Sequence, residues 1–225
     1  WSTVFGPRAM DPQRLQEHLD AMDPDRCRVA GIKIFADGAI GSATAAIYGT
    51  FLTTGGSGQL IYTPDRLHAM VRTAHEAGHS ISIHTIGDSS TDLVMDAYEE
   101  VGEGHRHRIE HAMLLSDAQI DRMARLGAHC AMQPEFLSAL GHAYQRQLGP
   151  ERASLIKRTR SVLDAGIRLS LNSDRPIVAG DPQTGVHAAA FRPEGFDPRE
   201  ALTLREAFDA YTRGGADANG DADSI

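Results

Sequence analysis

The chain has 225 residues, 41% of them hydrophobic and 23% charged, a formal net charge of −8, and only two cysteines, Cys27 and Cys130. That suits a folded globular protein, and one large domain spanning 1–225 is expected. No run approaches the roughly 18 consecutive apolar residues of a membrane span, and no basic stripe offers a footprint for nucleic acid or an anionic membrane surface. Two cysteines supply neither a disulfide framework nor a CxxC zinc seat, so any metal would be held by histidines and carboxylates. A small-molecule partner and a cytoplasmic location are the corresponding expectations. The sequence opens on Trp1 without an initiator Met and stops at Asp221-Ala-Asp-Ser-Ile225, which predicts a fragment of a longer protein.

In chain order, the first strand predicted is 31–36 (GIKIFA), with Lys33 between Ile32 and Ile34. A long loop, 37–62, separates it from a helix over 64–77, with Thr63 as cap, Pro64 at the first helical position and Gly78 as the stop. Strand 80–85 (SISIHT) follows, then a helix near 90–101 and strand 107–112 (HRIEHA). A helix over 117–126 with Ser116 as its cap, strand 129–134 (HCAMQP), a helix over 151–165 ending at Gly166, and strand 168–174 (RLSLNSD) come next. A second long loop, 175–200, precedes a last helix at 203–213.

Alternating strands and helices predict a parallel sheet covered by helices, either doubly wound or closed into a (β/α) barrel. Side-chain parity favours the barrel. Ser80, Ser82 and His84 share one strand face and Ile81 and Ile83 the other, while Arg168, Ser170, Asn172 and Asp174 oppose Leu169 and Leu171. One polar and one apolar face suit a barrel whose interior carries chemistry, whereas an open parallel sheet is usually apolar on both.

Lys33 on an apolar strand is costly unless partnered. It reads either as a lysine paired with a carboxylate or as one carboxylated on its terminal nitrogen, able to ligate metal. His84 and His111 each end a strand at the edge where barrel enzymes place their chemistry. Either alone reads equally as a structural histidine. Together, on adjacent strands about 4.8 Å apart, they favour a shared ion. Asp174 before Arg175-Pro176 is a turn former by itself; beside two such histidines it becomes a metal ligand and a proton acceptor for water. His18, His68 and His75 fall in helical patterns, and His105, His107, His129, His142 and His187 stay open, His142 in a loop. Arg108 and Glu110 have the parity opposite to His111 and are expected to pair on the outer face.

The segments GIKIFADGAIGSATAAI, HTIGDSSTDLVMDAYE, RHRIEHAMLLSDAQIDRMARLGAHCAMQP and SLNSDRPI followed by GDP resemble the amidohydrolase superfamily, specifically the YtcJ-like group of metal-dependent amide hydrolases that includes N-substituted formamide deformylase. The order Lys, His, His, Asp on strands four, five, six and eight of that barrel falls on Lys33, His84, His111 and Asp174. The resemblance implies a (β/α)8 TIM barrel, one or two divalent ions with zinc the first candidate, a lysine open to carboxylation, and hydrolysis of an amide-type C–N bond by metal-activated water. Two departures stand out. No His-x-His pair precedes Lys33, and the strands of a small β-sandwich beside the barrel are missing, so about the last five strand-helix units are expected. Weak metal binding by this chain alone follows. Asp88 and Glu110 are candidate supports for the second nitrogens of the histidines. The competing readings are a Schiff-base lyase using Lys33 and a non-catalytic fragment or degenerate barrel relative.

Overall fold

The computed structural model describes Ser2–Phe5, residues 17, 20, 21 and 23, and residues 29–220; His18 and Cys27 lie outside the described residues. Among the described residues six strands form one sheet, β1 (Ser2–Phe5), β2 (Val29–Phe35), β3 (Ile81–Thr85), β4 (Arg108–His111), β5 (His129–Met132) and β6 (Leu169–Leu171), in that spatial order. Every pairing is parallel. A doubly wound sheet reverses its strand order at a switch point; an unbroken sequential order is that of a barrel wall. The five expected strands are all present. β1 stands ahead of them, a run of four residues too short to register by pattern.

The α-helices with bounds among the described residues are α1 (Pro64–Glu76), α2 (Asp88–Val101), α3 (Asp117–Leu126), α4 (Glu135–Leu148), α5 (Pro150–Ser154), α6 (Thr159–Asp164), α7 (Pro182–Ala190), α8 (Leu204–Tyr211) and α9 (Arg213–Ala218). Ser116 caps α3 in a full capping box with Gln119, while Thr63 makes no side-chain cap bond to α1, whose start rests on Pro64. The expected helix at 151–165 is two helices, because the chain leaves helical geometry at Lys157, φ +56. The loop placed around His142 is the helix α4. Residues 37–62 do form a long connection without helix or strand.

The outer face of the sheet is apolar. Ile32, Ile34, Ile81, Ile83, Ile109, Cys130, Leu169 and Leu171 are buried in one cluster with Leu67, Val71, Val94 and Met95 from the helices. The register sets Lys33 beside Ser82, His84 beside Glu110, and Ala131 beside both Glu110 and Ser170. These residues line one inner cleft with Phe35 and Arg108.

That register overturns one expectation. Arg108 and Glu110 do pair, but on the inner face, where Glu110 is 6% exposed. Parity counted back from His111 fails because His111 has φ +74 and Ala112 φ +40. The strand leaves extended geometry at its last residue, which brings His111 to the same side as Glu110.

Candidate active site

The cleft, of about 590 Å³, is lined by all four predicted ligands, Lys33, His84, His111 and Asp174, together with Glu110. β2 carries Lys33 in mid-strand, β3 and β4 carry the histidines at their C-terminal ends, and Asp174 lies three residues beyond β6 at φ +53.

The rings of His84 and His111 lie 4.5 Å apart between centroids, inclined at 68°. His84 Nε2 donates to the carbonyl oxygen of Gly38 at 2.9 Å, and His111 Nδ1 meets Gln133 Oε1 at 2.8 Å. A carbonyl oxygen only accepts, so Nε2 of His84 carries the proton and Nδ1 keeps its lone pair. Burial lowers the pKa of His84 to about 4 and holds His111 well below the usual histidine range, with the cation of Lys157 the next influence on His111. Both rings are therefore neutral near pH 7, as metal ligation demands.

Burial also pushes the Lys33 amine below its ordinary pKa, against the pull of Glu110 and Asp174, with Arg108 acting in the same direction as burial. Burial works to raise Glu110, but Lys33 and Arg108, with hydrogen bonds from Ser82 and Arg108, bring its carboxyl below the ordinary value. Ser82 Oγ donates to it at 2.5 Å. The Asp174 carboxyl is raised by burial, with Lys33 and Lys157 opposing.

Asp88 is occupied elsewhere. Its carboxylate accepts from Tyr48 N at 2.8 Å and Arg152 Nη2 at 2.7 Å, tying the 37–62 connection to the start of α2. The support expected from Asp88 and Glu110 at the second histidine nitrogens comes instead from Gly38 and Gln133.

Several residues of the site carry no sequence signal of their own. Asp37, buried, accepts from Ala46 N, Ile86 N, Gly87 N and Ser90 Oγ at 2.7 to 3.0 Å and stands 3.7 Å from His84 Nε2. It pins the loop that bears Gly38 against the end of β3. Gln133 lies one residue past β5, at the same C-terminal edge of the sheet as the two histidines. Lys157, in the run Ile-Lys-Arg-Thr-Arg, reads as a solvated charge yet is fully buried, with burial lowering its pKa to about 7.

Among the described residues, no three His, Cys, Asp or Glu side chains are gathered closely enough to hold a metal ion. Two neutral imidazoles, each with one nitrogen held by an oxygen acceptor and the other free, nevertheless fit a divalent ion as partial ligands. His84 and His111 would supply those nitrogens, with Asp174 and Lys33 alongside. No helix among the described residues is long and apolar enough to cross a membrane.

The chain has recognisable relatives among known proteins. Residues 8–225 match the profile described as the Amidohydrolase family. YtcJ of Bacillus subtilis strain 168, named as an amidohydrolase, is 28% identical over 89% of this chain and 40% of its own length. N-substituted formamide deformylase of Arthrobacter pascens is 32% identical over 88% of this chain and 39% of its own. The chain thus spans about two fifths of the length of these relatives. The crystal structure of an uncharacterized metal-dependent hydrolase from Pyrococcus furiosus superposes with a TM-score of 0.85 at 30% identity, over 96% of this chain and 45% of that one.

Proposed function

Because the chain belongs to the amidohydrolase family, we propose that His84, His111, Asp174 and Lys33 are its share of a divalent-metal site that hydrolyses an amide-type C–N bond in a small molecule. The observation that carries this reading is the pair of neutral imidazoles 4.5 Å apart, each with its second nitrogen engaged by an oxygen acceptor. A divalent ion, zinc the first candidate, would lower the pKa of water and polarise the scissile carbonyl.

The chain's own residues supply the rest. Asp174 at the cleft rim accepts the proton of the attacking water and passes it to the leaving nitrogen, a task that suits a carboxyl raised above its usual range. Lys33, its amine depressed by burial, adds in its neutral form through Nζ to CO2 and releases one proton, which turns the neutral amine into an anionic oxygen donor. Glu110 stays ionised between Arg108 and Ser82 and holds the inner face polar. The long 37–62 connection is pinned by Asp37 against the end of β3.

Calorimetric titration of the 225-residue chain with zinc tests the proposal. We expect one weak binding event, lowered at least tenfold by His84→Ala and by His111→Ala. Equal zinc binding by wild type and both histidine variants would overturn it.

A further inference from the structure

We infer that Gln133 and Lys157 form a positioning pair that sets the tautomer of His111 and, through Asn172, the placement of Asp174. The inference rests on the reading of His111 and Asp174 as site residues. It deepens that reading by naming what holds them in register.

Which way a glutamine amide points is ordinarily an assignment. Here one end is fixed by a carbonyl, which acts in one sense only, and the other faces a buried lysine. Lys157 Nζ, fully enclosed, donates to His111 O at 3.0 Å and lies 2.7 Å from Gln133 Oε1. As an ammonium Lys157 only donates, so the amide atom facing it is the oxygen, the same orientation that the Ala131 carbonyl imposes. At the other end, Gln133 Nε2 is 3.3 Å from Ala131 O, a carbonyl that only accepts.

Two consequences follow. His111 Nδ1, 2.8 Å from that same Oε1, must carry the hydrogen, which leaves the Nε2 lone pair free in the neutral ring. Gln133 Nε2 also donates to Asn172 Oδ1 at 3.1 Å, and that oxygen accepts from Asp174 N at 3.1 Å. The second bond steadies Asp174 at φ +53, a left-handed conformation that non-glycine residues adopt at a cost. One amide thereby orients the ring on β4 and, at one remove, the carboxylate beyond β6.

The burial of Lys157 supports a positioning role over simple packing. Both of its hydrogen-bond partners are neutral, and enclosing a lysine without a bonded carboxylate is costly where an apolar chain of similar size would pack. The donor function is what Met at this position would lack.

The test uses the metal-free 225-residue chain with 15N-labelled histidine, read by long-range proton–nitrogen correlation spectra, with His111→Asn to assign the ring. Wild type should show His111 as the Nδ1–H tautomer. Gln133→Met should shift it to Nε2–H or to an averaged mixture, and Lys157→Met, which frees the amide to turn, should give a mixture. Gln133→Glu, whose carboxylate still accepts from both partners, should restore Nδ1–H. Zinc alone, titrated into the same proteins, should bind 10- to 100-fold more weakly to Gln133→Met than to wild type.

An Nε2–H tautomer in wild type, or an unchanged tautomer in Gln133→Met, overturns the inference; should Gln133→Met fail to fold, wild type and Lys157→Met decide. The two readings fail separately. The stated tautomers without zinc binding overturn the metal site and keep the pair, whereas zinc bound equally by wild type and Gln133→Met, with tautomers unchanged, overturns the pair and keeps the site.

Discussion

Lys33 is held between opposing influences: its enclosure on β2 disfavours the ammonium, while Glu110 and Asp174 favour it. Carboxylation would resolve the conflict by removing the cation and leaving an anion that a divalent ion would neutralise. With zinc and 13C-labelled bicarbonate, the wild-type chain should give a carbamate carbon resonance that is missing from Lys33→Met. Borohydride added with carbonyl compounds should leave no reduced adduct on Lys33, since the amine has another use. A trapped adduct together with no carbamate signal would favour amine nucleophile chemistry instead. The same local physics explains why Arg108 faces inward: with Glu110 and Ser82 on the inner face, it completes a polar set that the apolar outer face could not satisfy.

At the scale of elements, the site depends on the seam where the 37–62 connection lies on the β3–α2 junction. Gly87 is the tightest point of that seam, since a Cβ there would fall 1.8 Å from Ala46 O. Backbone against backbone cannot yield easily. Gly87→Ala should therefore lift the loop, break the Asp37 bonds and withdraw Gly38 from His84. We expect a loss of about 2 kcal/mol or more in urea unfolding and at least tenfold weaker zinc binding. Gly41→Ala, on the same loop with nothing within 4 Å of its Cβ, should change stability by no more than about 0.5 kcal/mol. Similar unfolding of the two variants would sink the claim that this seam positions His84. Much of this architecture could be read in the sequence, because strand-end histidines and capped helices announce themselves by type and spacing. What escaped was geometry that spacing does not encode. Positive φ at His111 broke the parity rule that misplaced Glu110, and positive φ at Lys157 split a helix. In α4 the buried stripe Leu137, Gly141, Tyr144 and Leu148 is helical in spacing, but its second member is a glycine, required because a Cβ would come 2.7 Å from the Phe196 ring. Gln133 and Asn172 act by the direction of an amide, which a one-dimensional pattern does not reveal.

Across the whole molecule, histidines are buried at both ends of the sheet. His84 and His111 stand at the C-terminal edge. At the N-terminal edge His107 and His129 are 1% and 3% exposed, and each has its pKa lowered to about 4, chiefly by burial. His75 and Arg106 push His107 further the same way, while the Asp217 carboxylate, 3.3 Å from His129 Nδ1, pulls against burial without overcoming it. Because the folded pKa lies below the ordinary 6.5, the unfolded chain takes up protons that the folded chain refuses. Their stabilisation is thus fully present above pH 6.5 and is lost as pH falls towards 4. Near pH 5 the slope from these two residues is on the order of 1.4 kcal/mol per histidine per pH unit, and His84 and His111 shift in the same sense. Urea midpoints should be flat from pH 8 to 7 and should fall steeply between pH 6 and 5, before most carboxylates have titrated. A midpoint unchanged between pH 7 and 5 would mean that these rings are protonated, or hydrated, inside the folded chain.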